Sequence, residues 1–299
     1  MNEGILMKLT IFTPTYNRGE LLKKLYLSLC KQKNKNFCWL IVDDGSTDNT
    51  KQIVEKFISE QKLDISYVLQ PNSGKHVAHN LGVRLCKTEL FFCVDSDDYL
   101  TSNAVQEILD IWNTLSANEI NNISGIVAYR GTSDMNIIGT EFPLAMDVSP
   151  LNYLYSNGKK GDTALIYRTE VLRQYPFPVF GGEKFLRENI AYDLIDEKYS
   201  LLVLRKIIYI CEYLDDGLSK NSTKYEMESP NGAALYRYNE YLKNKKSFFG
   251  LRQLAGYFFF SIKAKKTKVA WKKIGIFKGL ILLPIVLAGA IRYKIILKK

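Results

Sequence analysis

A run of carboxylates that follows an apolar segment is the first feature of this chain that could do chemistry. The segment FCVDSDD, residues 92–98, ends in Asp95, Asp97 and Asp98. Residues two apart in an extended strand point to the same side, so Asp95 and Asp97 would share one face. Divalent cations such as Mg²⁺ and Mn²⁺ take oxygen ligands, often one or two carboxylates together with substrate phosphates. The pattern predicts either a metal site or a solvated turn in which Asp98 caps the next helix.

Two further polar clusters follow apolar segments upstream. Asp43 and Asp44 end the segment FCWLIVDD, where a carboxylate could accept hydrogen bonds from a base or a ribose, or could cap the following helix. The segment NSGK, residues 72–75, precedes a helical pattern, so backbone N–H groups and the Lys75 ammonium could bind a diphosphate. The sequence contains neither GxGxxG nor GxxxxGK[ST], which argues against a dinucleotide site of the Rossmann type and against a P-loop.

Alternating strands and helices must position these clusters. Apolar runs predict strands, and amphipathic spacing predicts helices between them. The strands are expected at 9–14, 37–44, 65–70 and 90–98, and the helices at 20–32, 46–61 and 75–86. This order predicts an α/β fold with a mostly parallel sheet covered by helices on both faces. Ligands of such sheets bind at the carboxyl ends of the strands, which is where the polar clusters lie.

The charge of the chain is divided unevenly along its length. Its 299 residues carry a formal net charge of +10, from 41 Lys and Arg against 31 Asp and Glu. From Tyr241 to Lys299 there are 15 basic residues and no acidic one, which leaves residues 1–240 with a net charge of −5. A mildly acidic body with a basic tail is not typical of a nucleic-acid binder, so we expect no nucleic-acid partner. The five cysteines form no CxxC pair and are typical of free thiols in a reducing cytosol.

The clusters, in this order, resemble the family 2 glycosyltransferases of GT-A fold. The similarity covers about residues 9–100 and is carried by the motifs TPTYNR (13–18), VDDGSTDNT (42–50), NSGKHVAHNLG (72–82) and FCVDSDDYL (92–100). The resemblance implies an inverting transferase that uses a nucleotide-sugar, with a UDP-sugar expected, and a divalent metal, Mn²⁺ or Mg²⁺. It implies that Thr13, Pro14 and Tyr16 line the nucleoside pocket and that Asp43 binds the base. It further places Lys75 near the diphosphate, Asp95 at the ribose or the metal, and Asp97 on the metal.

The acceptor half matches the family less well. Family members usually place a Glu-Asp pair before a helix, with the Asp as general base, and this chain has Glu188-Asn189 within GGEKFLRENIAYDLI, residues 181–195. Glu188 is therefore the first choice for the base that accepts the proton of the acceptor hydroxyl, and Glu183 is the second. The alternative for Glu188 is an acidic residue that stabilises a helix N-terminus. The expected acceptor is a glycan or a lipid-linked glycan.

The basic tail predicts an association with membranes. We expect a glycosyltransferase domain over 1–244, with a nucleotide-binding half at 7–100 and an acceptor half at 101–244, followed by an amphipathic helical tail at 245–299. The longest uncharged stretch of the tail, 279–291, is shorter than the roughly 20 apolar residues that a spanning helix needs. Aromatic residues among lysines favour a helix on an anionic leaflet over a simple helical cap or an oligomer contact. The expected location is cytoplasmic, peripheral on the inner face of the plasma membrane.

Two other functions remain open on the sequence alone. A sugar nucleotidyltransferase would also use paired aspartates, but it is disfavoured because the Gly-rich nucleotide loop near the first strand is missing. A catalytically silent module that docks on a membrane is favoured by the absence of the Asp after Glu188. The sequence does not predict an oligomeric state, a donor sugar or a linkage.

Overall fold

The protein is an α/β structure with a long mixed sheet. The computed structural model describes residues 8–211 and 222–275 together with positions 279, 282, 284 and 286. The strands are β1 Leu9–Thr15, β2 Phe37–Asp43, β3 Ile65–Leu69, β4 Leu90–Cys93, β5 Tyr99–Leu100, β6 Ile123–Gly131, β7 Val148–Ser149, β8 Thr163–Arg168 and β9 Ser200–Ile210. The helices are α1 Gly19–Cys30, α2 Thr50–Ser59, α3 Lys75–Leu85, α4 Ala104–Trp112, α5 Ala117–Ile120, α6 Leu151–Ser156, α7 Thr169–Gln174, α8 Asn189–Asp196, α9 Ser222–Glu228, α10 Pro230–Lys243, α11 Phe248–Lys263 and α12 Thr267–Ile274.

The sheet is parallel in the half that carries the polar clusters and mixed beyond it. Within the described residues its strand order is β3-β2-β1-β4-β8-β6-β9-β5, with β7 paired to β9. Strands β3, β2, β1 and β4 run parallel to one another, whereas β8 is antiparallel to both β4 and β6. The predicted fold class is confirmed, and the antiparallel pairs are confined to the second half, where the β-α alternation of the sequence is less regular.

Both faces of the sheet are buried, which explains why the parallel strands are almost continuously apolar. On one face, Leu9, Ile11 and Trp39 pack with residues of α1, α2 and α4. On the other face, Phe12 and Val42 pack with residues of α3 and α7. Alternate residues of one strand therefore belong to different cores, as the period of two requires.

The chain divides into two compact units. The first contains residues 1–176 and 191–213 and holds the whole sheet. The second contains 177–190 and 214–299, and its core joins α10, α11 and α12 through residues such as Ala233, Leu254 and Ala270. Since α10 packs against α11, these units group residues 230–243 with the tail, whereas the sequence-based boundary at 244 separates them. That boundary stays a prediction.

Aromatic residues of α11 are packed inside the second unit. Tyr257, Phe258 and Phe260 of α11 are buried in its core. Within the described part of the chain, no helix combines the length and the apolar composition that crossing a membrane requires. Most of the uncharged stretch 279–291 lies outside the described residues, as does the Asp-Asp-Gly segment 215–217, for which the sequence suggests a turn or an acceptor contact.

Candidate functional site

The polar clusters lie together at one edge of the parallel half-sheet. In the β1–β2 ladder Thr15 is opposite Asp43, and in the β1–β4 ladder Phe12 is opposite Cys93. The chain segments that follow β1, β2 and β4 therefore leave the sheet side by side. This is the edge at which parallel α/β sheets bind ligands.

Asp43 is a buried carboxylate held by two donors. Its Oδ1 accepts the N–H of Ser46 at 2.7 Å and its Oδ2 accepts the Tyr67 hydroxyl at 2.7 Å. Burial, followed by this hydrogen bond to the carboxylate, raises the pKa of Tyr67, so Tyr67 remains the donor. Each carboxylate oxygen keeps a lone pair that could accept one more hydrogen bond.

Asp44 fastens the loop that leads into α3. Its carboxylate accepts the Gln70 side-chain amide at 2.7 Å, the Ser73 N–H at 2.7 Å and the Gly74 N–H at 2.8 Å. The loop needs glycine at its end, because Gly74 has a positive φ of 99°. The sequence suggested ligand binding or helix capping for this carboxylate. In the first turn of α2 the Thr50 N–H is accepted by Asp48, whereas Asp44 accepts the N–H groups of Ser73 and Gly74 before α3.

Two ion pairs join the basic residues of the edge to the Asp-Ser-Asp-Asp segment. Lys75 Nζ lies 2.6 Å from Asp95 Oδ1, and Arg18 Nη1 lies 2.6 Å from Asp97 Oδ2. Burial alone would raise the pKa of Asp95, but the charges of Lys75, Arg130 and Arg18 outweigh it and hold that pKa below its usual value. The edge therefore carries ionised carboxylates that are balanced by cations. Arg18 is the last residue of the TPTYNR motif, and its type and position alone did not predict a role for it.

A buried tyrosine from β9 orders the acidic segment from behind. The Tyr209 hydroxyl donates to Asp98 Oδ2 at 2.8 Å and accepts the Asp95 N–H at 3.0 Å. The Arg130 guanidinium lies over the Tyr209 ring, 4.2 Å from its centre. Burial, and then the negative charge of Asp95, raise the pKa of Tyr209, which keeps its proton on the oxygen. The sequence did not predict a role for Tyr209 or Arg130, because both lie in strands whose apolar pattern indicates only a buried core.

The expected nucleoside-pocket residues differ in what their side chains do. Thr13 is buried and its hydroxyl accepts the Trp39 indole N–H at 3.0 Å, while Pro14 is buried in β1 opposite Val42. Tyr16, by contrast, is 46% exposed just beyond the strand end. Of these three residues, Tyr16 is the one with a side chain accessible for stacking on a base.

The two candidate bases, Glu183 and Glu188, belong to the second compact unit, whereas the residues described above belong to the first. Glu183 is buried, and its carboxylate accepts the Asn231 N–H at 2.7 Å, the Asn231 side-chain amide at 2.8 Å and the Gly232 N–H at 2.9 Å. It therefore caps the N-terminus of α10. Glu188 is exposed and directly precedes α8. The contacts of Glu183 favour Glu188 as the base, and both roles stay predictions.

The donor chemistry of the edge fits a hard divalent cation. In the described residues, His, Cys, Asp and Glu side chains do not gather in groups of three or more that could hold a metal. Asp95 and Asp97 nevertheless supply the one or two carboxylates that Mg²⁺ or Mn²⁺ takes when substrate phosphates complete its coordination. A metal bound in this way would depend on the substrate for most of its ligands.

Comparison with known proteins points to one family. Residues 10–136 match the family model described as "Glycosyl transferase family 2". The chain is similar to the poly(ribitol-phosphate) beta-N-acetylglucosaminyltransferase TarS of Staphylococcus aureus strain MW2, with 34% identity over 65% of this chain and 35% of TarS. It is also similar to the teichoic acid poly(glycerol phosphate) polymerase of Staphylococcus epidermidis, with 28% identity over 56% of this chain and 23% of the polymerase.

The fold has a solved counterpart as well. The crystal structure of S. aureus TarS 1-349 in complex with UDP-GlcNAc superposes with a TM-score of 0.55 at 18% identity, over 90% of each chain. The present chain spans between 23% and 35% of the length of the first curated relatives that it matches. The resemblance that the motifs indicate is confirmed, because residues 10–136 match the model of the family 2 glycosyltransferases.

Proposed function

We propose that the protein transfers a sugar from a UDP-sugar to a hydroxyl of a glycan or lipid-linked glycan during the assembly of a cell-surface polymer. The observation that carries this proposal is the edge at which Asp43, Asp95 and Asp97 lie beside Lys75 and Arg18. The names of TarS and of the teichoic acid polymerase support a polymer of the cell surface, and the TarS complex supports a UDP-sugar donor.

The nucleotide would bind across the ends of β1 and β2. The free lone pairs of the Asp43 carboxylate can accept the imide N–H of a uracil, and the exposed Tyr16 ring can stack on the base, beside Thr13 and Pro14. Lys75, at the start of α3, now contacts Asp95, and Arg18 contacts Asp97. Each cation can bind the diphosphate when the diphosphate replaces that carboxylate as its partner. Selection of the nucleotide thus rests on hydrogen bonds and stacking, and its phosphates are bound by charge.

Asp97, with Asp95, would hold a divalent metal, Mn²⁺ or Mg²⁺. The bound metal would offset negative charge on the departing diphosphate. Lys75 and Arg18 act in the same sense from the protein side, because their positive charges lie where the diphosphate charge grows. The lowered pKa of Asp95 keeps that carboxylate ionised at neutral pH.

Glu188 would act as the general base. It accepts the proton of the acceptor hydroxyl while the hydroxyl oxygen bonds to the anomeric carbon, and the bond from that carbon to the diphosphate oxygen breaks on the opposite side. The electron pair leaves with UDP, and the anomeric configuration is inverted. An exposed carboxylate suits this role, because the acceptor must reach it from solution.

We further propose that the protein works as a peripheral protein on the inner, cytoplasmic face of the plasma membrane. The 15 basic residues of 241–299, with no acidic residue among them, match the negative charge of that leaflet. A lipid-linked acceptor would be found at the same surface.

The function is tested by nucleotide release and binding. Purified protein should release UDP from at least one of a panel of UDP-sugars when Mn²⁺ or Mg²⁺ is present, and calorimetry should detect UDP binding. Asp97→Asn should lower turnover by two orders of magnitude or more, since it removes a charged group from the diphosphate site. Asp110→Asn, the same change on the exposed side of α4, should leave turnover unchanged. A protein that binds no nucleotide with metal present would contradict the proposal. Release of pyrophosphate from UTP in the presence of a sugar 1-phosphate would indicate a nucleotidyltransferase.

A further inference from the structure

The turn between α10 and α11 carries exposed aromatic and aliphatic side chains. Residues 242–252, here called the hairpin tip, include Phe248, which is 78% exposed, and Phe249 and Leu251, each 45% exposed. Farther along α11, Phe258 and Phe260 are buried, at 1% and 0% exposed, and among the apolar residues beyond them Ile262 is 43% exposed. Exposed aromatic residues are therefore concentrated at one end of the helical hairpin.

The hairpin tip is a turn held by hydrogen bonds, which fix the direction of these side chains. Ser247 caps α11 by accepting the Gly250 N–H at 3.0 Å, and its own hydroxyl donates to the Asn244 carbonyl at 3.0 Å. A side chain at Gly250 would collide with that carbonyl, because an added Cβ would lie 1.9 Å from the Asn244 oxygen. The two helices pack antiparallel behind the turn, with Arg237 Nη1 donating to Gln253 Oε1 at 3.0 Å.

Positive charge surrounds the exposed apolar residues. Lys245, Lys246 and Arg252 are exposed beside Phe248 and Phe249. The last acidic residue of the chain, Glu240, is paired with Lys243 at 2.9 Å on the α10 side of the turn. Phenylalanine side chains enter the headgroup region of a bilayer, and basic residues next to them are attracted to anionic lipids.

We propose that the hairpin tip is the membrane-contact surface of the protein, with the Phe248 and Phe249 rings inserted among the lipids of an anionic leaflet. Lys245, Lys246 and Arg252 bind the lipid phosphates around the inserted rings. This inference rests on the proposed peripheral location and specifies which residues produce it. It replaces the in-plane helix expected from the sequence with an end-on insertion, because the apolar side of α11 is packed inside the unit.

Vesicle binding by the full chain tests the inference. The parent protein should bind vesicles of phosphatidylcholine mixed with phosphatidylglycerol and bind pure phosphatidylcholine vesicles far more weakly. Phe248→Ser combined with Phe249→Ser should lower the partition coefficient roughly tenfold. Lys245→Gln combined with Lys246→Gln should lower it by a similar factor, and added salt should then have less effect.

A matched control changes exposed apolar residues at the other end of the hairpin. Ile262, 43% exposed, lies fourteen residues and therefore about 21 Å along α11 from Phe248, and Val269 on α12 is 58% exposed. Ile262→Ser combined with Val269→Ser should leave vesicle binding within about twofold of the parent. Thermal unfolding of each variant confirms that the second unit is intact.

A fluorescence measurement distinguishes insertion from contact by charge alone. In Phe248→Trp, brominated lipids should quench the added tryptophan beyond the quenching measured for the parent. The inference is overturned if the added tryptophan is not quenched, or if the phenylalanine pair is dispensable while the control pair is required. If the parent binds no anionic vesicle at all, the proposed peripheral location fails together with this inference, whereas UDP release remains as its own test.

Discussion

Tyr209 connects the acidic segment to the rest of the sheet through a single oxygen. Its hydroxyl bonds to both the Asp95 backbone and the Asp98 carboxylate, and the ring is fully buried under Arg130. The proposed metal ligands Asp95 and Asp97 lie in the segment that these two hydrogen bonds hold. Tyr209 is therefore a positioning residue, which acts on the substrate through Asp95 and Asp98.

Removing that oxygen should weaken both the use of metal and the fold. We expect Tyr209→Phe to raise the Mn²⁺ or Mg²⁺ concentration needed for half-maximal UDP release about tenfold, with a smaller change in kcat, and to lower the free energy of unfolding by about 1.5–3 kcal/mol, as for other hydrogen bonds to charged groups. Metal titrations of UDP release and urea denaturation measure the two effects.

Tyr26→Phe is the matched control for this change. Tyr26 is a buried tyrosine of the same unit, and its hydroxyl donates to Glu60 Oε2 at 2.7 Å. Neither residue belongs to the polar clusters that follow the strands. It should show a similar loss of stability with an unchanged metal requirement. A Tyr209→Phe protein that is destabilised like the control but needs no more metal would show that Tyr209 is only structural.

At the scale of elements, the two candidate bases have different relations to the helices that follow them. Glu183 accepts three hydrogen bonds at the N-terminus of α10, whereas Glu188 is exposed before α8. Carboxylates at helix N-termini stabilise the helix through these orphan N–H groups. The same residue type therefore serves the fold at position 183, while at position 188 its exposure lets an acceptor reach the carboxylate.

Paired Glu→Gln substitutions should separate these roles. Glu183→Gln keeps the shape but removes the charge, so we expect it to lower the free energy of unfolding by about 1–3 kcal/mol and to leave kcat within a few-fold of the parent. Glu188→Gln should leave stability nearly unchanged and lower kcat by about 10²–10⁴, with UDP affinity retained. Denaturation and steady-state kinetics of both variants measure these effects. A large loss of kcat in Glu183→Gln, with little loss in Glu188→Gln, would make Glu183 the base.

The local elements of the site could be predicted from the sequence, but the contacts between distant segments could not. The strand that ends at Asp43 and the helix that begins at Lys75 follow from hydrophobic spacing, which acts over a few residues. The strand expected over 90–98 ends earlier, at Cys93, so Asp95 and Asp97 lie beyond it. Tyr209 meets Asp98 across 111 positions of the chain, and Glu183 meets Asn231 across 48, so neither partnership leaves a local pattern. In a buried strand a tyrosine with a functional hydroxyl is spaced like any core residue.

At the scale of the whole molecule, the proposed nucleotide binding and the proposed membrane contact belong to different compact units. The proposed nucleotide and metal ligands all belong to the first unit, whereas the hairpin tip belongs to the second. The second unit has its own buried ionic cluster, in which Glu226 Oε1 accepts Arg187 Nε at 2.6 Å and Glu226 Oε2 accepts Arg237 Nη2 at 2.8 Å. Glu226 is 2% exposed, so its charge is compensated by the two arginines and little by solvent.

Neutralising Glu226 should therefore disturb the second unit and spare nucleotide binding. Taking one partner out of a buried ion pair leaves the remaining charge uncompensated and commonly costs about 3–5 kcal/mol. We expect Glu226→Gln to lower the unfolding temperature and to reduce vesicle binding through the hairpin tip, while the Kd for UDP, measured by calorimetry well below that temperature, stays within twofold of the parent. A Kd that rises in step with the lost stability would show that the nucleotide site depends on the second unit. The assignment of nucleotide binding to the first unit alone would then be wrong.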